Sequence, residues 1–360
     1  MLKPCHVFVL VVVMLAVVLT GCAAGVNPGG CATNGCGGPT ATAFIASSPV
    51  ICATAACAAS HLQVFVEPDA GEAPIVHAIQ TATRSVWVEV YILTDRNVVH
   101  ALEDAAGRGV DVRVLLEPHP FGGGDVAAQQ VMEELNAAGA QARPSDPAYH
   151  YTHEKALVVD GATAYILTCN LSKSGLGGSS AGANREYGVI DADAADVNEV
   201  TAIFQADWNA VPVRVNDPRL VVSPLNARSS LAALIAGAHS TLLVEDEEMY
   251  DTASENALIA AAHRGVTVEV LLPPPSGSSS YGADVARLQQ GGVHVRFVSV
   301  PYMHAKLIVA DGALAFTGSE NFSSTSLDEN RELGIVLADP AALATLTHTF
   351  TQDWALAVAA

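Results

Sequence analysis

Two short stretches decide the fold: HEKALVVDG at residues 153–161 and HAKLIVADG at residues 304–312. They share a histidine, a lysine two positions on, an apolar run and a closing Asp-Gly pair, at an offset of 151 residues. Along a strand, positions i and i+2 share a face. His153 therefore projects with Lys155, and His304 with Lys306, while Glu154 or Ala305 points away. Asp-Gly after an apolar run signals a hairpin turn. Asp160 and Asp311 thus sit in turns and shape a loop rather than act on substrate. One His-x-Lys triplet arises readily by accident on a surface strand. Two in equivalent positions do not.

Further matches extend outward in the same order, which marks an internal repeat. GRGVDVRVLLEP (107–118) matches HRGVTVEVLLPP (263–274), and NREYGVI (184–190) matches NRELGIV (330–336). Asp207-Trp208 then matches Asp353-Trp354. Two similar halves follow, residues 61–213 and 214–360. Each has the same grammar. A helix-like stretch (75–83; 231–239) leads to a β-rich run (86–93; 241–244), then a second helix (98–108; 255–264) that ends in Arg-Gly, with the glycine suited to a C-cap. An apolar β-branched run (110–116; 266–272) reads as a buried parallel strand, and a third helix (126–138; 283–290) follows it. This alternation predicts an α/β sandwich in each half.

Asn170 and Asn321 each stand 17 residues after their histidine, in the quartets LTCN (167–170) and GSEN (318–321). Asn, Ser and Thr can donate to a phosphoryl oxygen, so Thr168 and Ser319 join the set as supporting residues, and Lys supplies positive charge. Glu186 and Glu332 follow their histidines by 33 and 28 residues. A carboxylate beside a histidine fixes its tautomer and stabilises the imidazolium. The competing reading pairs each glutamate with its neighbour Arg185 or Arg331 at the surface. Cys169 stands alone in the body of the chain and reads as a small buried residue rather than a nucleophile.

HxKx4D followed by GSxN and later by NxE is similar to the HKD signature of the phospholipase D superfamily, in both copies and across about 300 residues. The resemblance implies two α/β sandwich domains related by a pseudo-twofold axis and sharing one active site. It implies a covalent phosphohistidine, with His153 as nucleophile and His304 as acid, the lysines and asparagines holding the non-bridging oxygens, and no metal or cofactor. Neutral imidazole is a nucleophile and imidazolium an acid, so such chemistry needs two histidines in different protonation states. The first half departs from the pattern at Leu167, where the family has glycine, which bears on backbone approach to phosphate. It also carries five extra residues between its Asn and NxE elements, including GLGGSSAG (175–182), read either as a rim that admits substrate or as an idle surface insertion.

Residues 1–21 read as an export signal: Lys3, then an apolar run from Val7 to Leu19 that is too short for a span of ~20 residues. LTGC (19–22) resembles a bacterial lipobox, implying lipidation of Cys22 and a membrane-anchored lipoprotein on the periplasmic or cell-surface side. A plain signal peptide or an uncleaved anchor is the competing reading. Residues 22–60 are rich in Gly, Ala, Ser, Thr and Pro and suit a tether. Their Cys31, Cys36, Cys52 and Cys57 suit two disulfides outside the cytoplasm, of three connectivities, in preference to a zinc site. The net charge is −20, from 17 basic and 37 acidic residues. Such a chain is repelled by polyanions, and the run Glu245-Asp246-Glu247-Glu248, placed after a strand near the site, adds to this. Extended nucleic-acid binding is therefore disfavoured, and a phospholipid or other small phosphodiester is the expected substrate. A metal-independent nuclease and a non-catalytic binding protein are the alternatives. Both half-sites lie in one chain, so a monomer suffices.

Overall fold

The computed structural model describes residues 62–122, 124–178, 182–275 and 282–360. The export signal, Cys22 and the cysteine-bearing tether lie outside the described residues, as do residues 179–181 of the glycine-rich insertion.

The first half runs β1 (Leu62–Glu67), α1 (Ala73–Thr81), β2 (Ser85–Val90), α2 (Arg96–Gly107), β3 (Asp111–Leu116), α3 (Asp125–Ala137), β4 (Gln141–Pro144), β5 (Lys155–Val159), β6 (Thr163–Leu167), β7 (Asn184–Asp191) and α4 (Ala194–Trp208). The second runs β8 (Leu220–Ser223), α5 (Ala227–Gly237), β9 (Thr241–Glu245), α6 (Thr252–His263), β10 (Thr267–Leu272), α7 (Gly282–Gln290), β11 (His294–Phe297), β12 (Tyr302–Met303), β13 (Leu307–Ala310), β14 (Leu314–Gly318), α8 (Ser324–Asp328), β15 (Glu332–Leu337), α9 (Pro340–Leu356) and β16 (Val358–Ala359). The sheets are ordered β1-β7-β6-β5-β2-β3-β4 and β16-β11-β10-β9-β13-β14-β15-β8. Reversed and stripped of β16, the second order is the first, element for element. The chain is thus an α/β protein of two repeated units. The apolar runs at 110–116 and 266–272 form β3 and β10, each parallel to both neighbours.

Each sheet is buried on both faces, which explains its near-continuous apolar strands. On β2, Val86, Val88 and Val90 face a core built with α1, α2 and α3, while Trp87 points the other way and stacks on Phe204 of α4. Ile308 and Ala310 of β13 likewise face the core under α5, α6 and α7. The opposite faces meet in a third core. There Val158, Ile166 and Val189 of the first sheet pack with Leu307, Ala315 and Ile335 of the second, together with Ile203 of α4 and Phe350 of α9. Burial of each such side chain contributes about 1.5–3 kcal/mol, so this layer binds the halves into one body.

Element ends differ from the periodicity reading for a definable reason. The helices expected over 75–83 and 231–239 stop at Thr81 and Gly237. Asp160 and Asp311 cause this. Asp160 accepts from the backbone N–H groups of Thr83, Arg84 and Ser85, and Asp311 from those of His239, Ser240 and Thr241. Donors held this way cannot continue a helix. Each aspartate occupies the first position of its hairpin turn at positive φ, 56° for Asp160 and 55° for Asp311, followed by a glycine at 58° or 62°. This left-handed pair is the two-residue turn that Asp-Gly favours. The His-x-Lys triplets do not lie wholly on regular strands: β5 begins at Lys155 and β13 at Leu307. Upstream of those points the backbone turns to the other half: the Glu154 carbonyl still accepts from the Tyr91 N–H, but the His153 N–H donates to the Arg331 carbonyl.

Burial alone would raise the Asp160 carboxyl, but the backbone N–H groups of Ser85, Arg84 and Thr83 outweigh it and hold it at about 2. A carboxylate lowered on folding stabilises above its unfolded pKa and loses that contribution as pH falls through the folded one. Asp160→Asn should therefore cost about 1–2 kcal/mol at neutral pH, the half-exposed site screening part of the effect. The gap from the parent should close as the pH drops from about 4 towards 2. Urea denaturation across that range checks both the size and the direction.

Candidate active site

The residues just before each histidine pair with the Asn-Arg-Glu segment of the other half. Tyr302 and Met303 of β12 run parallel to Asn184 and Arg185 of β7, so the second half supplies a strand to the first half's sheet. Reciprocally, Thr152 bridges to Arg331, the His153 N–H donates to the Arg331 carbonyl at 2.9 Å, and the Arg331 N–H donates to the Tyr151 carbonyl at 2.9 Å. This exchange decides which glutamate meets which histidine. His153 Nδ1 lies 2.8 Å from Glu332, and His304 Nδ1 lies 2.7 Å from Glu186. Each histidine is thus held by a carboxylate from the opposite half. Both glutamates are fully buried, and neither pairs with the adjacent arginine.

Further contacts fix those carboxylates. Asn184 Nδ2 donates to Glu186 at 3.0 Å, and Asn330 Nδ2 donates to Glu332 at 3.0 Å. Thr168 donates from its hydroxyl to Glu186 at 2.6 Å and accepts from the Tyr187 N–H. Its hydroxyl is spent inside the protein, so Thr168 serves the glutamate rather than offering a donor to a phosphoryl oxygen. Ser319, also fully buried, accepts from the Leu333 N–H at 3.0 Å. Both lysines are buried within their motifs. Lys155 donates to the His153 carbonyl, and Lys306 donates to the His304 carbonyl at 2.6 Å. Asn170 and Asn321 each keep a buried side-chain oxygen with no protein partner among the described residues.

The Leu167 departure has a packing cause. A Cβ at Gly318 would fall 2.3 Å from Gly334 Cα and 2.6 Å from a Glu320 carboxyl oxygen. Glycine there makes room for the buried Glu320. In the first half the equivalent pair is Leu167 with the smaller Cys169, both fully buried. The glycine is a space requirement, not a phosphate cradle. Burial also pushes the Cys169 thiol up, which leaves it inert.

Electrostatically the two half-sites differ. Glu89 pairs with Leu115 and Glu245 with Leu271 in equivalent registers, which makes Tyr91 and Glu247 counterparts two residues further on. The Tyr91 ring packs edge-on to His153 at 4.6 Å between centroids, and Lys155 Nζ lies 5.3 Å from it. Burial pushes the Tyr91 phenol up to about 12, so it stays neutral. Glu247 places one carboxylate oxygen 3.2 Å from His304 Nε2 and 3.4 Å from Lys306 Nζ. Burial would raise its carboxyl, but His304, Lys306 and His153 hold it down at about 2. The lysines answer in opposite directions. Burial drives Lys155 down to about 7 despite Glu332, whereas Glu247, Glu186 and Asp246 more than offset burial at Lys306 and raise it. Burial also lowers His153 more than Glu332 lifts it. That ring is neutral at pH 7, with Nδ1–H donated to Glu332. The sequence reading set the run Glu245–Glu248 near the site but did not single out Tyr91 or the contact of Glu247 with His304; aligning the residues that follow each repeat's β-rich run would have exposed the pair.

The arginines of the two Asn-Arg-Glu segments also cross over. Arg185 makes a two-pronged pair with Asp353 at 2.6 and 2.9 Å, and Arg331 pairs with Asp207 at 2.9 Å and donates to the Tyr149 hydroxyl. The aspartates belong to the Asp-Trp pairs of the repeat. Each tryptophan meets an arginine on its own half's β4 or β11: Arg143 lies 3.7 Å from the Trp208 ring centre and Arg296 lies 4.5 Å from that of Trp354. Beside Arg331, buried Glu89, Glu154 and Asp207 have oxygens within 4.8 Å of one another. Burial pushes Glu89 well up and Glu154 up to about 8.

Compared with known proteins, residues 75–208 and again 231–354 match a family model described as "Cardiolipin synthase, PLD-like domain". The chain is 23% identical over 332 residues to "Probable cardiolipin synthase YwiE" of Bacillus subtilis, covering 82% of this chain and 66% of that protein. It spans about two thirds of the length of the curated relatives it matches. Among solved structures, the polyphosphate kinase of Porphyromonas gingivalis superposes with a TM-score of 0.64 at 15% identity, over 81% of this chain and 46% of that one. The phosphatidylserine synthase of Haemophilus influenzae gives 0.62 at 12% identity, over 81% and 86%. At those identities the superpositions speak for the fold.

Removing one partner of a buried ion pair leaves an uncompensated charge. Arg331→Met should cost about 3–5 kcal/mol, and adding Asp207→Leu should recover most of it because no charge is then stranded. Denaturant unfolding of the single and double variants measures both.

Proposed function

The chain belongs to the phospholipase D superfamily, with its PLD-like domain present twice, and from that premise we propose that it hydrolyses or transfers phosphatidyl groups through a phosphohistidine. The observation that carries this reading is the crossed pair of histidine–glutamate contacts, with a lysine beside each histidine. A neutral His153 has its Nδ1 proton on Glu332, which leaves the Nε2 lone pair free to attack phosphorus. As the new N–P bond forms, the bond to the leaving alcohol breaks, and the proton on His304 Nε2 passes to that alcohol's oxygen. Water or an acceptor alcohol then attacks phosphorus and gives its proton to His304, while the N–P bond breaks and His153 returns neutral. Atoms and charge balance over the two steps. Lys155, Lys306, Asn170 and Asn321 hold the non-bridging oxygens in a water-poor pocket, where fixed charges act strongly. No metal enters this scheme.

Phospholipid is the substrate class best supported. The YwiE match points to lipid phosphodiesters, and the acidic chain, with net charge −20, disfavours a polyanion. In this reading the export signal and lipidated Cys22 deliver the enzyme to a membrane surface, where its substrate resides.

In EDTA with mixed phospholipid micelles, the parent should release headgroup, and His153→Ala or His304→Ala should cut release by at least about 10³-fold. With a p-nitrophenyl phosphodiester, whose leaving group needs no proton, His304→Ala should accumulate the remaining phosphoryl ester on His153 and His153→Ala should show none. Release that persists in both variants would sink the mechanism. Cleavage of labelled oligonucleotides but not of phospholipids would replace the substrate class.

A further inference from the structure

The His, Lys and Glu sets around the two histidines obey the pseudo-twofold relation, but several neighbours do not: Glu247 stands opposite Tyr91, Asp246 opposite Val90 and Glu320 opposite Cys169. Each half contributes a His, a Lys and a Glu, and each His meets the opposite Glu through Nδ1. Position 91 presents an uncharged ring edge to His153, whereas position 247 presents a carboxylate to His304 Nε2 at 3.2 Å. The hydrogen-bond inventory of imidazole gives this difference a consequence. A neutral ring has one N–H and one lone pair, and only the protonated ring donates from both nitrogens. His304 has a carboxylate at each nitrogen: Glu186 on Nδ1 at 2.7 Å and Glu247 on Nε2 at 3.2 Å. Ionised carboxylates accept and do not donate, so the contact with Glu247 favours a proton on Nε2, while Nδ1 is approached by both Glu186 and Lys306 Nζ, the latter at 3.3 Å. His153 has one such partner, Glu332.

We infer that Glu247 is a positioning residue that stores the transferable proton on His304 Nε2, and so makes His304 the acid and His153 the nucleophile. This rests on the phosphohistidine reading and adds a contact, made at His304 Nε2 and not at His153, that separates the roles of the two histidines. The groups facing His304 are Glu186 from β7, Glu247 from the segment after β9, Lys306 from its own motif, and the His153–Lys155 set across the site. Of these, Glu247 is the one on Nε2, the nitrogen that must face the leaving alcohol. Its side chain is a quarter exposed, and Tyr302 donates to its other oxygen at 3.3 Å. A carboxylate held at the rim in this way can turn outward as the leaving oxygen takes its place on Nε2–H. The ring then carries a proton already in position, and after transfer Glu247 stands ready to receive the contact again.

The discriminating readout is sensitivity to the leaving group. Full-length protein in detergent is given two phosphatidyl diesters, one that leaves as p-nitrophenol and one that leaves as an alkyl alcohol, and the rate of each is followed. A p-nitrophenolate departs without a proton and an alkoxide does not. Glu247→Gln should therefore slow the alkyl ester by at least about tenfold and the p-nitrophenyl ester by less than about threefold. Glu247→Asp, which restores the charge, should recover part of the alkyl rate. The ratio of the two rates within one preparation does not depend on how much of the variant is folded. An equal loss on both esters, or no loss on either, overturns the assignment of Glu247. Failure of the parent to turn over either ester overturns the phosphohistidine reading, and this inference with it.

Discussion

Each motif histidine of this chain is held by a carboxylate that the other half supplies, and the rest of the architecture follows from that exchange. For Glu332 to reach His153 and Glu186 to reach His304, the Asn-Arg-Glu segments must run alongside the backbone entering the opposite His-x-Lys motif. The parallel contacts of Tyr302–Met303 with Asn184–Arg185, and of Thr152 with Arg331, do this. The arginine between each Asn and Glu is then turned into the interior, where water cannot screen it. An aspartate at the end of the other half's last long helix answers it. Helices α4 and α9, the shared apolar layer and the two half-sites are therefore parts of one constraint.

Much of this was legible in residue order, and the part that was not has a physical cause. The four repeated segments gave two α/β units, and the Asp-Gly pairs marked the hairpins after β5 and β13. The choice of partner for Glu186 and Glu332 could not be read, because pairing within a half and pairing between halves leave the same spacings in the sequence. Helix ends at Thr81 and Gly237 were also hidden, since aspartates more than 70 residues away set them. Thr168 looked like a phosphate donor by its place beside Asn170, yet its hydroxyl faces inward. Sequence proximity to a reactive residue does not say which way a side chain turns. Leu167 with Cys169 and Gly318 with Glu320 show a further limit: each quartet is volume-balanced inside itself, so one position viewed alone suggests a functional change where there is a packing trade.

In this acidic protein the two motif lysines lie where bulk solvent does not reach them. Lys155 and Lys306 are fully buried, and the field at each depends on a few neighbours. Burial wins at Lys155, whereas Glu247, Glu186 and Asp246 win at Lys306. A site made from two similar units thereby holds one ammonium easily neutralised and another that stays charged.

The exchanged pairings bear on ancestry as well as chemistry. The strand addition and the Arg–Asp and His–Glu pairs that cross between the halves each have a mirror, which is the pattern of an isologous interface. Two separate copies of one half could close the same way as a homodimer. In such a dimer any substitution appears twice, and the two sides of the centre remain identical in composition. Joining the copies in one polypeptide removes that restriction. A tyrosine can then stand at position 91 while a glutamate stands at 247, so covalent fusion is what permits a symmetric scaffold to divide its labour.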